Sequence, residues 1–153
     1  MQQDYDYVMW IDSDAIIANP KFNVTTLFDD HDIYYNVDVF GLNFGVFALK
    51  NSEISKAFLK DIDNSYNQYK NVNFYEQAAA WNLIKNKYRA YSKEIPARTW
   101  NSYDNAYGHR TINVYQKGDF ILHLPNEQTL NRRRPDYRFH RFMEIMENDN
   151  RIL

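Results

Sequence analysis

The feature that most constrains the fold is an acidic pair, Asp12 and Asp14, that directly follows the apolar run Tyr7–Ile11. The run has the length and the aromatic and β-branched content of a strand. Open α/β sheets bind ligands at the carboxyl ends of their strands, where this pair stands. Alternate residues of an extended segment point the same way, so both carboxylates can face one ligand. Because neighbouring acids repel each other, the pair predicts a hard divalent cation, and with it a phosphate-bearing ligand. The alternative is a pair of loop acids that cap the turn before Asn19.

Length and composition narrow the class of protein. With 153 residues the chain is one domain or part of one, and we expect a single domain over residues 1–153. A net charge of −2 argues against nucleic acid and anionic membranes as partners. The absence of Cys excludes disulfides, zinc–thiolate sites and a Cys nucleophile. The sequence contains no apolar stretch of membrane-spanning length, so we expect no membrane segment in this chain.

Strand-like and helix-like patterns alternate along the chain. Strand patterns cover residues 32–37, 44–49, 111–115 and 119–124. Helical patterns cover a short segment at 26–28, a long helix from Asn51 or Ser52 through Tyr69, residues 73–86, and a carboxyl-terminal helix within 131–153 that follows Pro135. Such alternation predicts an α/β layer fold with a mostly parallel or mixed sheet.

Five segments resemble the motifs of one enzyme family, in that family's order. They lie at residues 7–19, 41–51, 75–79, 95–103 and 118–123, and they include Asn-Ser-Tyr at 101–103 and Gly-Asp-Phe at 118–120. Together they resemble the GT-A-fold glycosyltransferases, and most closely glycosyltransferase family 34. That family contains fungal Golgi mannosyl- and galactosyltransferases and plant xyloglucan xylosyltransferases. A lone Asp-x-Asp is a weak signal, whereas five ordered segments span most of the chain.

The resemblance implies a fold and an activity. It implies a GT-A-like (Rossmann-like) mixed sheet flanked by helices, and a metal-dependent, retaining transferase. Such an enzyme moves a hexose or pentose from a UDP- or GDP-linked sugar to a glycan acceptor. The family places a metal-binding His at the end of its Gly-Asp-Phe strand, which makes His123 the third ligand beside Asp12 and Asp14. Mixed carboxylate and imidazole ligation favours Mn²⁺, with Mg²⁺ as the alternative.

The resemblance also suggests the remaining site residues. Glu76 and Gln77 match the family's acidic-Gln helix start and are the candidates for the catalytic position. Asn73 and Glu76 also have the spacing of a capping box, which would explain Glu76 without catalysis. Candidates for donor or acceptor binding are Ser13, Asn43, Gly45, Asn101, Asn126, Arg132 and Arg133. The two arginines could bind a diphosphate bidentately or form a solvated surface run.

The chain departs from the family at its start. Only eleven residues precede Asp12, whereas the family carries several strand–helix units there, with most of the base and ribose contacts. We therefore expect a fold that lacks those units, either as a fragment of a larger enzyme or with further domains that complete the nucleotide site. A sheet without its first strands would expose an unpaired edge. Family relatives lie in the Golgi lumen behind an anchor, and without one a soluble cytoplasmic domain is the default expectation.

Two other functions fit parts of the sequence. Haloacid-dehalogenase-like, Mg²⁺-dependent phosphatases also begin with an apolar strand and an Asp-x-Asp, although Ile16 and His123 stand where that family has other residue types. The third possibility is a truncated, non-catalytic domain that binds a sugar nucleotide. Phosphate release from an aryl phosphate would identify a phosphatase. Sugar-nucleotide binding without turnover would identify the non-catalytic domain.

Overall fold

A computed structural model describes residues 5–104, 113–124 and 137–148, with no side chains for residues 137–139. The chain divides into two compact units, one within residues 1–11 and 24–96 and the other within 12–23 and 97–153. The strands and α-helices in chain order are β1 (Tyr7–Ile11), β2 (Ala15–Ile17), β3 (Ile33–Asp38), β4 (Gly41–Lys50), α1 (Glu53–Asn64), α2 (Tyr66–Tyr69), α3 (Tyr75–Leu83), β5 (Ser92–Glu94), α4 (Ala97–Trp100), β6 (Ser102–Tyr103), β7 (Ile121–His123) and α5 (Tyr137–Asn148). Short helical segments of other types lie at Val24–Leu27, Ile84–Tyr88 and Arg89–Tyr91. None of the helices in these ranges is long and apolar enough to span a membrane.

The first unit is a four-stranded mixed sheet covered by helices. The strand order is β1-β4-β3-β5, with β4 antiparallel to both neighbours and β5 parallel to β3. Among the described strands β1 pairs only with β4, and its outward side chains Val8 and Trp10 are 58% and 56% exposed. The core lies between the sheet and the helices, where Phe58 of α1 and Ala80 of α3 pack against Ile33 of β3.

The long predicted helix is divided in two. It begins after Ser52, whose Oγ accepts a hydrogen bond from the Ser55 amide at 3.1 Å, and it ends at Asn64. Ser65 then donates its hydroxyl to the Asp61 carbonyl at 2.7 Å, so a side chain occupies an acceptor at the helix end. The remaining turn forms the separate helix α2. The sequence prediction was wrong here because apolar spacing continues across the break.

The second unit is a small sheet that supports α5. Its strand order is β2-β7-β6, with β2 antiparallel and β6 parallel to β7. Leu122, Leu124 and Phe142 form its apolar core together with Ala18. These two- and three-residue strands are too short to show a sequence pattern, and of them only β7 was predicted. Within the described residues, the strand predicted over 111–115 is a single bridge between Val114 and Tyr103.

Asp61 connects α1 to the π-helical segment Ile84–Tyr88, which continues α3. Its Oδ2 accepts hydrogen bonds from Lys87 Nζ at 2.6 Å and from Tyr88 Oη at 2.7 Å. These donors, Lys87 first, lower the pKa of the Asp61 carboxyl below its ordinary value of 3.8. A carboxyl whose pKa is lower in the folded state stabilises the fold above its unfolded pKa. That contribution is lost as the pH falls through the folded value.

We therefore expect Asp61→Asn to lower the free energy of unfolding by about 1 kcal/mol at pH 7, because a charge-assisted acceptor is lost. The difference in free energy of unfolding between variant and wild type should be smaller at pH 3, where the wild-type carboxylate begins to be protonated. Denaturant titrations at both pH values measure this. Asp63→Asn, exposed on the same helix, is the control and should match wild type. Equal stability of Asp61→Asn and wild type at pH 7 would contradict the prediction.

Candidate metal site

Asp12, Asp14 and His123 come together within the second unit. One possible ligand atom of each residue lies within 4.8 Å of the others. Asp12 and Asp14 belong to the turn between β1 and β2, where the Ala15 amide donates to the Asp12 carbonyl at 3.0 Å. His123 ends β7 and pairs with Ala15, and the amide of Leu124 donates to the Asp14 carbonyl at 2.8 Å. The β2–β7 pairing therefore brings His123 beside Asp14, from which it is 109 positions away in sequence.

His123 is held at both ring nitrogens. Its side chain is 2% exposed, with Nδ1 at 2.8 Å from Asn101 Oδ1 and Nε2 at 3.0 Å from Asp14 Oδ1. An amide oxygen only accepts hydrogen bonds, so Nδ1 carries the proton and donates to Asn101. The lone pair of the neutral ring then lies on Nε2 and faces a carboxylate oxygen. Two lone pairs at this distance repel each other unless a second ring proton or a cation lies between them.

These residues therefore fit a divalent cation. The donor set consists of two partly buried carboxylates and one imidazole nitrogen with a fixed tautomer. A ligating His commonly donates its other ring N–H to a carbonyl or carboxylate oxygen, which is the contact that Asn101 provides. Carboxylate and imidazole donors together suit Mn²⁺ and related ions better than an all-oxygen site would.

The Asn-Ser-Tyr and Gly-Asp-Phe segments form the support of His123. Asn101 is fully buried at the end of α4, where its amide donates to the Ala97 carbonyl at 2.6 Å. Ser102 donates its hydroxyl to Asp119 at 2.8 Å, and the same carboxylate oxygen accepts from the Gln116 amide at 2.8 Å. The Tyr103 ring lies beside the imidazole, with 5.8 Å between ring centroids. The two motifs thus hold one another around the candidate ligand.

The burial of Asn101 bears on its predicted role. Its side-chain oxygen is engaged by His123 inside the core, which favours a positioning role over the predicted donor or acceptor contact. Ser13 is exposed in the turn between the two acids. Asn126, Arg132 and Arg133 lie outside the described residues.

Three predicted residues are linked within the first unit. The Phe44 amide donates to Gln77 Oε1 at 3.0 Å, so the amide side chain of α3 is attached to β4. Beside it, Asn43 Oδ1 accepts from the Gly45 amide at 3.0 Å, and Asn43 Nδ2 donates to Asp38 at 3.2 Å. The first unit thus places Asn43, Gly45 and Gln77 next to one another.

The capping box proposed for Glu76 is wrong. Helix α3 begins at Tyr75, and the residue before it, Phe74, has a φ of 53° and makes no side-chain cap. A non-glycine residue in this left-handed conformation shifts the start of the helix by about one residue from the capping-box register. Glu76 is exposed in the first turn, so capping does not account for it.

Sequence reasoning missed the role of Asn101 and a pocket lined by tyrosines. The Asn101 contact depends on the pairing of three very short strands, for which the sequence carries no visible pattern. The tyrosines were visible as an unusually large number, 13 in the chain, but composition does not show which of them share a surface.

The comparisons with known proteins agree with this architecture. The sequence signature of the galactosyl transferase GMA12/MNN10 family matches residues 26–132. This match includes Asn101 and His123, whereas Asp12 and Asp14 lie outside it, on its amino-terminal side. No curated protein sequence matches the chain significantly.

Solved glycosyltransferase structures share the fold. One acts in glycosylation of the major capsid of PBCV-1 (17% identity, TM-score 0.63, 93% of this chain and 66% of that chain). The second is GlyE of Streptococcus pneumoniae TIGR4 (17% identity, TM-score 0.62, 97% and 43%). The third is the galactosyltransferase LgtC, solved with donor and acceptor sugar analogs (16% identity, TM-score 0.58, 95% and 62%).

The chain spans less than two thirds of the length of each of these structures. The expected GT-A-like mixed α/β fold is confirmed, and the family match covers well over half of the sequence. The chain therefore belongs to the galactosyl transferase GMA12/MNN10 family and has the GT-A fold of glycosyltransferases.

Proposed function

We propose that this chain is the catalytic part of a metal-dependent glycosyltransferase. It moves a hexose or pentose from a nucleotide-diphosphate sugar to a glycan acceptor, with retention of the anomeric configuration. The observation that carries this proposal is the convergence of Asp12, Asp14 and His123 in the second unit. Membership of a galactosyl transferase family supports it, as does the fold of LgtC, which binds donor and acceptor sugar analogs.

Asp14 and His123 would hold the cation directly. Their facing atoms are 3.0 Å apart, and a cation that binds both would replace their direct contact. Asp12 would bind it directly or through water, or would contact the ribose. A divalent cation at this position supplies positive charge for the leaving diphosphate. Mn²⁺ is the proposed ion because one donor is an imidazole, and Mg²⁺ is the second choice.

Asn101 positions His123 and is not itself a ligand. By accepting from Nδ1 at 2.8 Å it fixes the tautomer that leaves Nε2 available to the cation. Ser102, Tyr103 and Asp119 restrain the same segment. The site therefore needs little rearrangement when a cation enters.

Glu76 and Gln77 have different chemical options for the transfer step. The Gln77 oxygen already accepts from the β4 backbone, whereas Glu76 is an exposed carboxylate. Glu76 is therefore the candidate nucleophile if retention uses a covalent intermediate. In front-face transfer the leaving phosphate takes the acceptor's proton, and Glu76 would instead contact a sugar hydroxyl.

The remaining donor contacts stay predictions from the sequence. Ser13 lies between the two acids, and Asn43 and Gly45 lie beside Gln77 in the first unit. Asn126, Arg132 and Arg133 are proposed for the donor on the family resemblance alone. Neither the family match nor the fold comparison favours a phosphatase or a non-catalytic domain.

The first prediction for this site concerns Asp14. We expect Asp14→Asn to weaken Mn²⁺ binding at least about 100-fold and to abolish transfer, because a charged ligand is replaced by a neutral amide of the same shape. Calorimetric titration with MnCl₂ in the presence of a UDP- or GDP-sugar measures binding, and release of the nucleoside diphosphate measures turnover. Asp30→Asn, which removes an exposed carboxylate of the first unit, should behave as wild type. Undiminished Mn²⁺-dependent turnover in Asp14→Asn would refute its assignment as a ligand.

The second prediction separates positioning from packing at Asn101. We expect Asn101→Ala to weaken Mn²⁺ binding about 10- to 100-fold, because His123 loses the acceptor that fixes its tautomer. Asn101→Asp keeps an oxygen at that place and should retain most of the affinity. Both variants are compared by Mn²⁺ titration and by thermal unfolding. If the two lose affinity in proportion to their lost stability, Asn101 has only a structural role.

A further inference from the structure

The first unit contains a pocket lined by tyrosines that the metal site does not use. It has a volume of about 210 Å³ and lies between helices α1, α2 and α3. Its lining includes three tyrosines and two acidic residues, namely Tyr66, Tyr69, Tyr75, Asp63 and Glu76. At about 30 Å³ per water molecule this is the space of about seven waters, enough for one sugar ring and too small for a nucleotide.

Two of the tyrosine rings form an exposed aromatic surface. Tyr66 and Tyr75 meet edge to face, with 6.3 Å between ring centroids and 89° between ring planes. They are 56% and 48% exposed, so the core does not account for their position. Large aromatic side chains kept at the surface beside a cavity mark a binding site more often than scattered exposed residues do. Their faces are apolar while their hydroxyls stay polar, which suits the C–H faces and hydroxyls of a pyranose.

The charges at the pocket define the class of ligand. Asp63 and Glu76 both line it and both are exposed carboxylates, which accept hydrogen bonds and repel anions. Lys70 Nζ lies 6.0 Å from the Tyr66 centroid, and no lysine or arginine among the described residues lines the pocket. A diphosphate or an acidic sugar would face two negative charges here. A neutral sugar would find two acceptors and three tyrosine hydroxyls.

We propose that this pocket binds a neutral hexose ring of the acceptor glycan. The proposal rests on the proposed glycosyltransferase function, because it takes its ligand class from a sugar-transferring enzyme. It agrees with front-face transfer, in which Glu76 contacts a sugar hydroxyl, since a sugar in the pocket would meet its carboxylate beside Tyr75. The pocket is then a specificity site for the acceptor, and its described lining shares no residue with the proposed metal site of Asp12, Asp14 and His123.

The test measures glycan binding and donor binding separately. Saturation-transfer NMR with methyl glycosides of mannose, galactose and glucose, and with neutral oligosaccharides of each sugar, reports contact with the pocket. Mn²⁺-dependent binding and hydrolysis of the sugar nucleotide report the donor site. The variants are Tyr66→Ala, Tyr75→Ala and Tyr66→Phe, and the control is Tyr91→Ala, which removes an exposed tyrosine (42% exposed) of the same unit outside the pocket.

We expect at least one neutral glycan to bind and each alanine variant to weaken it about 3- to 10-fold. Tyr66→Phe should lose less glycan affinity than Tyr66→Ala because it keeps the ring. Tyr91→Ala should bind the glycan as tightly as wild type. In a transfer assay the KM for the acceptor should rise in the alanine variants of Tyr66 and Tyr75, while donor hydrolysis stays unchanged.

Donor binding with no glycan contact at the tyrosines would overturn the pocket proposal and leave the transferase proposal standing. Binding of a tetramethylammonium probe instead of any glycan would also overturn it, since the pocket would then recognise cations. A wild-type chain that binds neither the donor nor any of the glycans would refute the transferase proposal.

Discussion

The contact between Asp14 and His123 is the interaction on which the functional interpretation depends. It exists because β2 pairs antiparallel with β7 and places Ala15 opposite His123. The buried amide of Asn101 then fixes the other side of the imidazole. A carboxylate and a lone-pair-bearing nitrogen held 3.0 Å apart are stable together only with a positive charge between them. A second ring proton meets this requirement in a direct hydrogen bond, and a divalent cation would meet it in the proposed metal site.

Residues of the surrounding motifs restrain the segments that carry this contact. Ser102 and Asp119 bond to each other across the second unit, and the same Asp119 oxygen accepts from a loop amide. Arg141 of α5 binds Asp104 through two nitrogens, at 2.6 and 2.8 Å, and so fixes the helix to the segment that carries Asn101. Fixed groups around a charged ligand reduce the reorganisation that ion binding requires. In the proposed site, the Asn-Ser-Tyr and Gly-Asp-Phe residues would therefore act by positioning His123.

The sequence predicted the parts that depend on local patterns. The acids after a strand, the α/β order, and the strands at 32–37 and 44–49 all follow from apolar periodicity, and each is found near its predicted place. Periodicity could not show the break at Ser65 or the left-handed Phe74 that moves the start of α3, because each depends on one residue's backbone or side-chain bonding. The Asn101 contact and the tyrosine pocket depend on residues brought together by tertiary structure. His123 was proposed as a ligand only through the family resemblance, since a single His has no periodic signal.

The most direct test of the account is pulsed electron paramagnetic resonance of Mn²⁺ bound to the wild-type chain. A coordinated imidazole gives nitrogen modulation in the electron spin echo of the ion. We predict that this modulation is present in the wild type and absent from His123→Gln, while His31→Gln, which changes a half-buried histidine of the other unit, keeps it. If the wild type binds Mn²⁺ and the bound ion shows no nitrogen modulation, the assignment of His123 as a ligand is contradicted.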